Sequence, residues 1–407
     1  MLYLWFVRYS SSSFHITLNY NFQLKKEAKY KHDAHFDVII IGGGLAGLTS
    51  AIHLSKYLSR ILVIEKNKFP KHKVCGEYIS NEVLPYLRYL ELNPFQFGAK
   101  KIDKFELSTS KNKTVHCRLP LGGFGISRYK IDKALAEKAE NSGVEILQET
   151  VTDIEFLNDE FIVYTSLRSI FKSKVVIGAY GKRSGIDVKL HRDFIRKKSP
   201  YLAVKTHVKG DFPNDLVALH NFNGGYCGAS KVEDDSINLC YITEYKAFKK
   251  FKNISEFQEK VIYQNRNLKS IFENSRQVFK SPLTISQISF ASKQPVENHI
   301  LMCGDTAGLI HPLCGNGMSM AIRSAQIASQ LIIKYFQSGN LSRESLEKTY
   351  ERSWNKAFRS RLRVGRIIAS LFRKDQMSEI IIVILKWFPG LLPLIIGYTH
   401  GKPMQAQ

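Results

Sequence analysis

The chain has 407 residues, 44% of them hydrophobic and 12% aromatic, which excludes an intrinsically disordered protein and allows a large core. Its 59 lysines and arginines outnumber 36 acidic residues, giving a formal net charge of +23. Such an excess predicts an anionic partner, although solvated surface lysines alone would also produce it. No nucleic-acid-binding motif is recognised, so an anionic lipid surface is favoured and nucleic acid is not expected.

The six cysteines show no Cys-x-x-Cys pair and no regular spacing. This favours neither a zinc site nor a disulfide scaffold, and no metal site is expected. The pattern is typical of a reducing compartment, so we expect a cytoplasmic protein.

Residues 1–35 differ from the rest of the chain. A short apolar run is followed by a serine cluster and a basic stretch, without the features of a secretory signal. We expect a disordered or weakly ordered extension, with a short membrane-touching peptide as the alternative.

Regular patterning begins with an apolar run over residues 36–41, which leads directly into Gly42-x-Gly44-x-x-Gly47 and a helical pattern. This order is typical of the strand, turn and helix of a dinucleotide-binding unit. Gly42 makes the tight turn, Gly44 lets the backbone approach a pyrophosphate, and Gly47 lets the helix pack against the strand. A second strand ends at Glu65, where such units place a carboxylate on the adenosine ribose.

The middle of the chain mixes strands with a few helices. A Cys75-Gly76 loop precedes it, and the glycine indicates close backbone approach, although a lone cysteine is more often a small buried residue. The predicted strands cover residues 104–109, 114–119, 144–147, 151–156, 161–166, 174–179, 201–209, 217–220, 236–243 and 284–290. Antiparallel strands inserted between dinucleotide-domain pieces predict two interleaved domains.

A second glycine-rich site follows a short strand at residues 300–303. Asp305 comes at the strand end, where a carboxylate can accept from sugar hydroxyls. Gly315-Asn316-Gly317 then starts a long helix and presents N–H donors to an electron-rich ring.

From about residue 36 to residue 340 the sequence resembles the FAD-dependent enzymes of the p-hydroxybenzoate-hydroxylase type, specifically their geranylgeranyl-reductase-like branch. The positions that match the family's cofactor-binding motifs are Gly42, Gly44, Gly47, Glu65, Arg128, Gly304, Asp305, Gly315, Asn316, Gly317 and Met318. In the family the arginine lies against FAD, the aspartate holds the ribityl chain, and the loop at 315–318 lines the flavin ring. The Cys75-Gly76 loop matches one that lies beside the substrate cavity.

The resemblance implies an α/β fold: a Rossmann-type FAD-binding domain with βββ/three-layer ββα organisation, interleaved with an antiparallel-sheet substrate domain, plus a C-terminal helical tail. The FAD-binding domain is expected to comprise residues 36–75, 120–185 and 296–340. The substrate domain would cover 76–119 and 186–295, and the helical C-terminal region 341–407.

Two positions depart from the family pattern. The family's Asp-Gly motif is Tyr180-Gly181 here, which changes the expected contacts near the pyrophosphate. A tryptophan of the reductase substrate signature is replaced by Gly228, although the tyrosine of the same signature is kept as Tyr226. The loss of this bulk predicts a larger or reshaped cavity.

The C-terminal tail contains an almost wholly apolar stretch at residues 380–398, close to the length that spans a bilayer. Lys386 lies in its middle, and Pro389-Gly390 and Pro393 interrupt it, which a spanning helix tolerates poorly. We therefore predict two broken amphipathic helices that either roof a lipid-sized cavity or lie in the membrane interface. Arginines before this stretch would attract anionic lipid.

The resemblance implies that NADH or NADPH, docking transiently, reduces FAD, which then reduces a carbon–carbon double bond of an apolar lipid or isoprenoid-like substrate. Cys75, Tyr226 and His311 are candidate proton donors by position, although each could be purely structural. A monooxygenase acting on an aromatic or polyketide-like substrate is the alternative, and a non-catalytic flavin or lipid carrier comes third. We expect a cytoplasmic protein, peripheral on the inner face of a membrane.

Overall fold

A computed structural model describes residues 34–197, 199–373 and 375–405. The predicted extension at 1–35 lies outside these residues, except for residues 34 and 35, which begin the first strand. The strands are β1 (Ala34–Ile41), β2 (Ile61–Ile64), β3 (Tyr78–Ser80), β4 (Lys100–Ser108), β5 (Thr114–Gly125), β6 (Glu145–Leu147), β7 (Val151–Leu157), β8 (Glu160–Thr165), β9 (Ile170–Gly178), β10 (Tyr201–Lys209), β11 (Leu216–Phe222), β12 (Gly225–Lys231), β13 (Ile237–Glu244), β14 (Arg276–Gln277), β15 (Leu283–Ser286), β16 (Val296–Glu297) and β17 (Ile300–Met302). The helices are α1 (Leu45–Ser55), α2 (Leu84–Tyr89), α3 (Arg128–Asn141), α4 (Gly185–Lys189), α5 (Tyr245–Phe248), α6 (Ile254–Lys260), α7 (Arg266–Glu273), α8 (Gly317–Ser338), α9 (Arg343–Phe372), α10 (Asp375–Trp387) and α11 (Leu391–Thr399).

The first sheet has the strand order β16-β17-β9-β1-β2-β6. β1 pairs in parallel with both β2 and β9, and β17 pairs in parallel with β9. Val38, Ile39 and Ile40 at its centre are fully buried, which explains why β1 is continuously apolar rather than alternating. α1 packs against α3 and α8. The predicted Rossmann-type arrangement is therefore confirmed.

The second sheet has the order β14-β10-β13-β12-β11-β4-β5-β3, with β15 paired to β10. Its pairings are antiparallel except that of β4 with β11, which is parallel. The expectation of an antiparallel sheet is thus wrong at this one pair. β4 and β11 come from distant segments, so no hairpin turn fixes their relative direction. Residue 120, the expected domain boundary, lies inside β5.

The two faces of this sheet have different coverings. One face, with Leu202, Val204 and Leu239, packs against the short helices α6 and α7. On the opposite face, register places three rows side by side: Ala203-Ile242-Tyr226-Asn221, Lys205-Cys240-Gly228-Leu219 and His207-Asn238-Ser230-Val217. We call this the front face.

The helical tail is confirmed. Both α10 and α11 contact β5, and their buried side chains Ile382 and Leu392 belong to the same apolar cluster as Phe105 and Leu107 of β4. Within the described part of the chain, no single helix is both long and apolar enough to cross a membrane. The α10–α11 pair passes by length and composition, but it is bent by 117°.

Candidate cofactor and substrate site

The first glycine turn is so tightly packed that two of its positions admit no side chain. Gly42 has φ +108°, and a Cβ there would lie 2.4 Å from the carbonyl oxygen of Ala179. A Cβ on Gly47 would lie 1.9 Å from the carbonyl oxygen of Gly42. A Cβ on Gly44 would meet only the Arg128 guanidinium, at 3.6 Å, so that position faces open space as a ligand would need.

Glu65 lies against this turn, at the end of β2. One carboxylate oxygen accepts a hydrogen bond from Gly43 N at 2.8 Å, and the other accepts from Asn67 N at 2.9 Å. The oxygen bonded to Asn67 N also accepts from Asn67 Nδ2, at 2.7 Å, whereas the oxygen bonded to Gly43 N keeps a second lone pair that could accept from a ribose hydroxyl. Its ribose-binding role remains a prediction.

Arg128 begins α3, and its side chain lies beside the first turn. Its Nε and Nη2 donate to the two carboxylate oxygens of Asp132 at 2.8 and 2.9 Å, which is a bidentate pair. Burial lowers the pKa of Arg128, but the Asp132 carboxylate more than offsets this and the net change is upward. Cys75 and Asp305 make smaller upward contributions to the same pKa. The guanidinium of Arg128 is therefore fixed beside the first glycine turn.

The second glycine site lies between two helices. Gly304 has φ +61°, and a Cβ there would be 3.3 Å from the Cβ atoms of both Ala46 in α1 and Ala321 in α8. The carbonyl of the half-buried Asp305 accepts from Lys293 Nζ at 2.8 Å. Burial lowers the pKa of Lys293 to about 8. Sequence reasoning missed this lysine, because no motif surrounds it.

The loop at 315–318 leads into α8. Gly315 has φ +62°, and a Cβ there would lie 3.3 Å from the Tyr78 ring. Asn316 is fully buried, and its Nδ2 donates to Glu82 Oε1 at 2.8 Å. Its Oδ1 has no partner among the described residues, which is costly for a buried oxygen unless a ligand donates to it. Gly317 opens α8, and Met318 is buried in the same core.

The open Gly44 position and the orphaned Asn316 oxygen fit the requirements of a bound dinucleotide with a polar ring system. Gly44 lies in the motif predicted to bind the pyrophosphate, and Asn316 lies in the loop predicted to line the flavin ring. The two glycine-rich segments are brought to one side of the first sheet by the packing of α1 on α8, and Arg128 lies beside Gly44; the assignment of the named residues to FAD remains a prediction.

Tyr226 and His311, two of the candidate proton donors, come together. Their ring centroids are 5.9 Å apart, and the His311 ring also lies 4.6 Å from Phe290. Burial raises the pKa of Tyr226 well above its usual range, and the hydroxyl has no hydrogen-bond partner among the described residues. Burial lowers the pKa of His311 to about 4, so this imidazole is neutral at pH 7. Leu313 N donates to its Nδ1 at 3.4 Å.

Cys75 lies over a different row of the front face. The side-chain amide of Asn238 donates to the carbonyls of Cys75 and Gly76 at 3.3 and 2.8 Å. The row that contains Gly228 separates the Asn238 row from the Tyr226 row. The structure therefore does not bring all three candidates together: Cys75 is on one side of Gly228, and Tyr226 with His311 is on the other.

Gly228, where the family has tryptophan, lies at the middle of this face. A Cβ there would make ordinary contacts, 3.6 Å from Leu219 Cδ2 and 3.7 Å from the Cys240 carbonyl. Glycine at this position is therefore not enforced by close packing, unlike Gly42 and Gly47.

A buried ionic cluster behind the Cys75 loop was not predicted. Glu77 and Lys205 are both fully buried and paired, and Glu77 also accepts from His207 Nε2 and from Arg128 N, each at 2.7 Å. Burial raises the pKa of Glu77, but Lys205 and His207 outweigh it and the pKa is lowered. Lys205 Nζ also donates to the Lys73 carbonyl at 3.2 Å, so the cluster fixes the loop. The sequence feature that could have indicated this cluster is Lys205, a lysine within the largely buried strand β10.

Comparisons with known proteins agree with this geometry. The chain matches the FAD binding domain family over residues 35–358. It is 24% identical over 352 residues to the digeranylgeranylglycerophospholipid reductase of Methanosarcina acetivorans, covering 83% of this chain and 84% of the relative. It is 21% identical over 370 residues to conditioned medium factor receptor 1 of Dictyostelium discoideum, covering 83% and 71%. Its fold is similar to that of the flavin-dependent brominase Bmp2, with a TM-score of 0.73, 18% identity, and coverage of 90% of this chain and 94% of the brominase.

Proposed function

This chain belongs to the FAD binding domain family and is an FAD-dependent oxidoreductase, and from that premise we propose that it reduces carbon–carbon double bonds in an apolar lipid or isoprenoid-like substrate. NADH or NADPH would supply the electrons. The observation that carries this proposal is the Tyr226 hydroxyl, which is buried without a hydrogen-bond partner among the described residues, in an apolar cluster with Leu309 and Leu313. Support for the substrate class comes from the reductase similarity.

The residues proposed to hold FAD divide between its two ends. Gly42, Gly44 and Gly47, with Glu65 and Arg128, would hold the adenosine and pyrophosphate end of FAD. Asp305 and the loop at 315–318 would hold the ribityl chain and the ring. These residues would hold FAD, whose chemistry when bound would be two-electron transfer between the nicotinamide and the second substrate.

Tyr226 would complete the reduction by protonating the substrate carbon. Saturation of a double bond needs two electrons and two protons, and a general acid must still be protonated at the working pH. Tyrosine meets this condition at pH 7, and burial keeps the Tyr226 phenol protonated, whereas the His311 ring is neutral and packs beside the phenol. Cys75, two rows away, would line the substrate space rather than protonate the same carbon.

An oxygen-dependent reaction on the same fold, either hydroxylation or halogenation, is the second candidate. Gly228 favours it because the family's bulky tryptophan is missing, and the fold similarity to a brominase is consistent with it. Membership in an enzyme family favours either reaction over a non-catalytic carrier.

The test is anaerobic incubation of the purified flavoprotein with NADH or NADPH and digeranylgeranylglycerophospholipid, followed by mass spectrometry. We expect products that gain two hydrogens per double bond without oxygen. A product that gains oxygen or halogen, formed only in air, would establish the second candidate instead.

We also propose peripheral contact with an anionic membrane surface through the outer side of α10 and α11. Large apolar side chains are exposed there, with Trp387 at 78%, Tyr398 at 64% and Phe388 at 61%. Exposed apolar side chains next to basic residues are what an anionic interface binds. The exposed apolar side chains of this surface are Ile380, Val383, Ile384, Trp387, Phe388, Leu391, Leu394 and Tyr398.

Co-sedimentation with phosphatidylglycerol vesicles tests this contact. Trp387→Ser with Phe388→Ser should lower the bound fraction several-fold, whereas Leu167→Ser, which removes a leucine exposed at 63% elsewhere, should not. Point variants are better than truncation, because Met404 N donates to the Glu82 carbonyl at 2.8 Å and the last residues thus support the Asn316 loop. Equal binding by all three proteins would refute the membrane contact.

A further inference from the structure

A cavity of about 190 Å³ lies between β5 and the end of α11, apart from the Tyr226–His311 site. Its walls are largely apolar, with Leu119, Pro120 and Leu121 on one side and Ile396 and Gly397 on the other. An apolar cavity of about 150 Å³ is already large enough to bind benzene. The volume therefore suits part of an aliphatic chain.

The surroundings of the cavity indicate which kind of chain would enter. Leu121, at the rim, is 38% exposed, and the cavity adjoins α11, whose outer side carries the exposed Leu394 and Tyr398. The exposed Lys402 also lines it and supplies a positive charge. An apolar interior beside a lysine favours an amphiphile with an anionic head.

One wall of the cavity also contacts the loop at 315–318. Tyr78 lines the cavity, and its ring also lies against Gly315, where a Cβ would be 3.3 Å away. His400, another lining residue, has its ring centroid 6.3 Å from that of Tyr78. A chain in the cavity would thus press on a ring that supports the turn before Asn316.

We propose that this cavity binds the aliphatic chain of an anionic amphiphile, such as a fatty acid or a membrane lipid, at a site separate from the reacting one. The inference rests on the proposed membrane contact, since a bilayer at α11 would bring such chains to the opening. Lys402 would pair with the head group, and Tyr78 would carry the effect of occupancy to the Gly315 turn.

Gly397 offers a direct way to close the cavity. It lines the space, and a Cβ built on it meets no described atom within 4 Å, so a larger residue enters without displacing backbone. Phenylalanine also favours a helix more than glycine does, so Gly397→Phe should fold. Gly185, at the start of α4, likewise has no described atom within 4 Å of a built Cβ, and Gly185→Phe is the matched control.

The experiment titrates the oxidised holoprotein with 11-(dansylamino)undecanoic acid, without vesicles and without nicotinamide. We expect saturable binding at one site, weakened on the order of tenfold or more in Gly397→Phe and unchanged in Gly185→Phe. Leu121→Asp, which places a negative charge at the rim, should weaken binding similarly. No saturable binding, or equal affinity in all variants, would overturn the proposal.

Two further arms keep this result apart from the function proposed above. Because neither turnover nor vesicles enter the titration, a failed reductase or membrane assay leaves its outcome unaffected. Competition by oleic acid and by phosphatidylglycerol then distinguishes a free fatty acid from a membrane lipid as the source of the chain. A shift of the flavin absorbance on probe binding, lost in Gly397→Phe, would confirm the coupling through Tyr78; no shift in the wild type would refute it.

Discussion

At the glycine turns of the first sheet, a Cβ on Gly42 or Gly47 would collide with backbone, whereas on the front face of the second sheet a Cβ on Gly228 would make ordinary contacts. The cofactor side is held by backbone geometry that tolerates few residues. The front face, where we propose that the substrate binds, is made of side chains that leave the Tyr226 hydroxyl unpartnered and room at Gly228. Backbone constraints preserve a cofactor site, while a face made of side chains can change its substrate without changing the fold.

The largest expected effect is loss of the cofactor without loss of the fold, on substitution of Gly44 in the first glycine turn. Gly44→Val should give a folded protein that purifies without flavin, because a Cβ at Gly44 meets only the Arg128 guanidinium and the added methyls fill the open space. Gly47→Val should instead fail to fold, since its Cβ would lie 1.9 Å from a carbonyl oxygen. Absorbance at 450 nm and circular dichroism measure the two outcomes. A fully yellow Gly44→Val protein would contradict the assignment of this turn to FAD.

The second prediction concerns the buried ionic cluster of Glu77, Lys205 and His207, which also accepts from Arg128 N at the start of α3. Lys205→Met leaves the Glu77 carboxylate buried without its lysine, which should cost about 3–5 kcal/mol of stability. Urea unfolding measures this loss. Lys348→Met, which breaks an exposed pair with Glu344, is the control and should leave the midpoint unchanged. A loss in Lys205→Met no larger than in the control would show that the cluster is not structural.

Third, the two sides should respond separately to loss of the Tyr226 hydroxyl. Tyr226→Phe should lower turnover of the lipid substrate about 100-fold or more, because a general acid contributes at least that factor. Flavin reduction by NADH or NADPH should not change, and stability should hold or improve because an unpaired buried hydroxyl is removed. Stopped-flow absorbance separates the two half-reactions. The exposed Tyr245 gives the control Tyr245→Phe, and equal turnover in both variants would exclude Tyr226 as the proton donor.

The same contrast explains what sequence reasoning could reach. Gly42, Gly47 and the strand before them were predictable because each residue type follows from a local backbone requirement, and Gly44 because the motif leaves room there for a ligand. The buried contacts of Glu77 were not, because its partners Lys205 and His207 are far away in the chain. The parallel pairing of β4 with β11 was missed for the same reason. Short sequence motifs predict local backbone geometry, whereas the side-chain contacts of the front face depend on the register between strands that are distant in the sequence.

The smallest effect expected is a pH dependence on the cofactor side. Lys293 is buried and donates to the carbonyls of Lys182 and Asp305 at 2.9 and 2.8 Å. Burial lowers its pKa from 10.5 to about 8 in the folded chain. Between pH 8 and pH 10.5 the unfolded chain binds more protons at Lys293 than the folded chain does. The free energy of unfolding should therefore rise with pH, by at most about 1.4 kcal/mol per pH unit.

Urea unfolding of the flavin-free protein at pH 8 and pH 9.5, repeated with Lys293→Met, isolates this contribution. The wild type should gain stability over this interval relative to the variant, because methionine has no proton to lose. The pH interval ends below the ordinary pKa of tyrosine, so the buried phenols, whose pKa values are raised further, contribute little to the difference. Parallel pH profiles for the two proteins would show that Lys293 stays charged when buried. The pH dependence of stability that we expect on the cofactor side would then have to come from a different group.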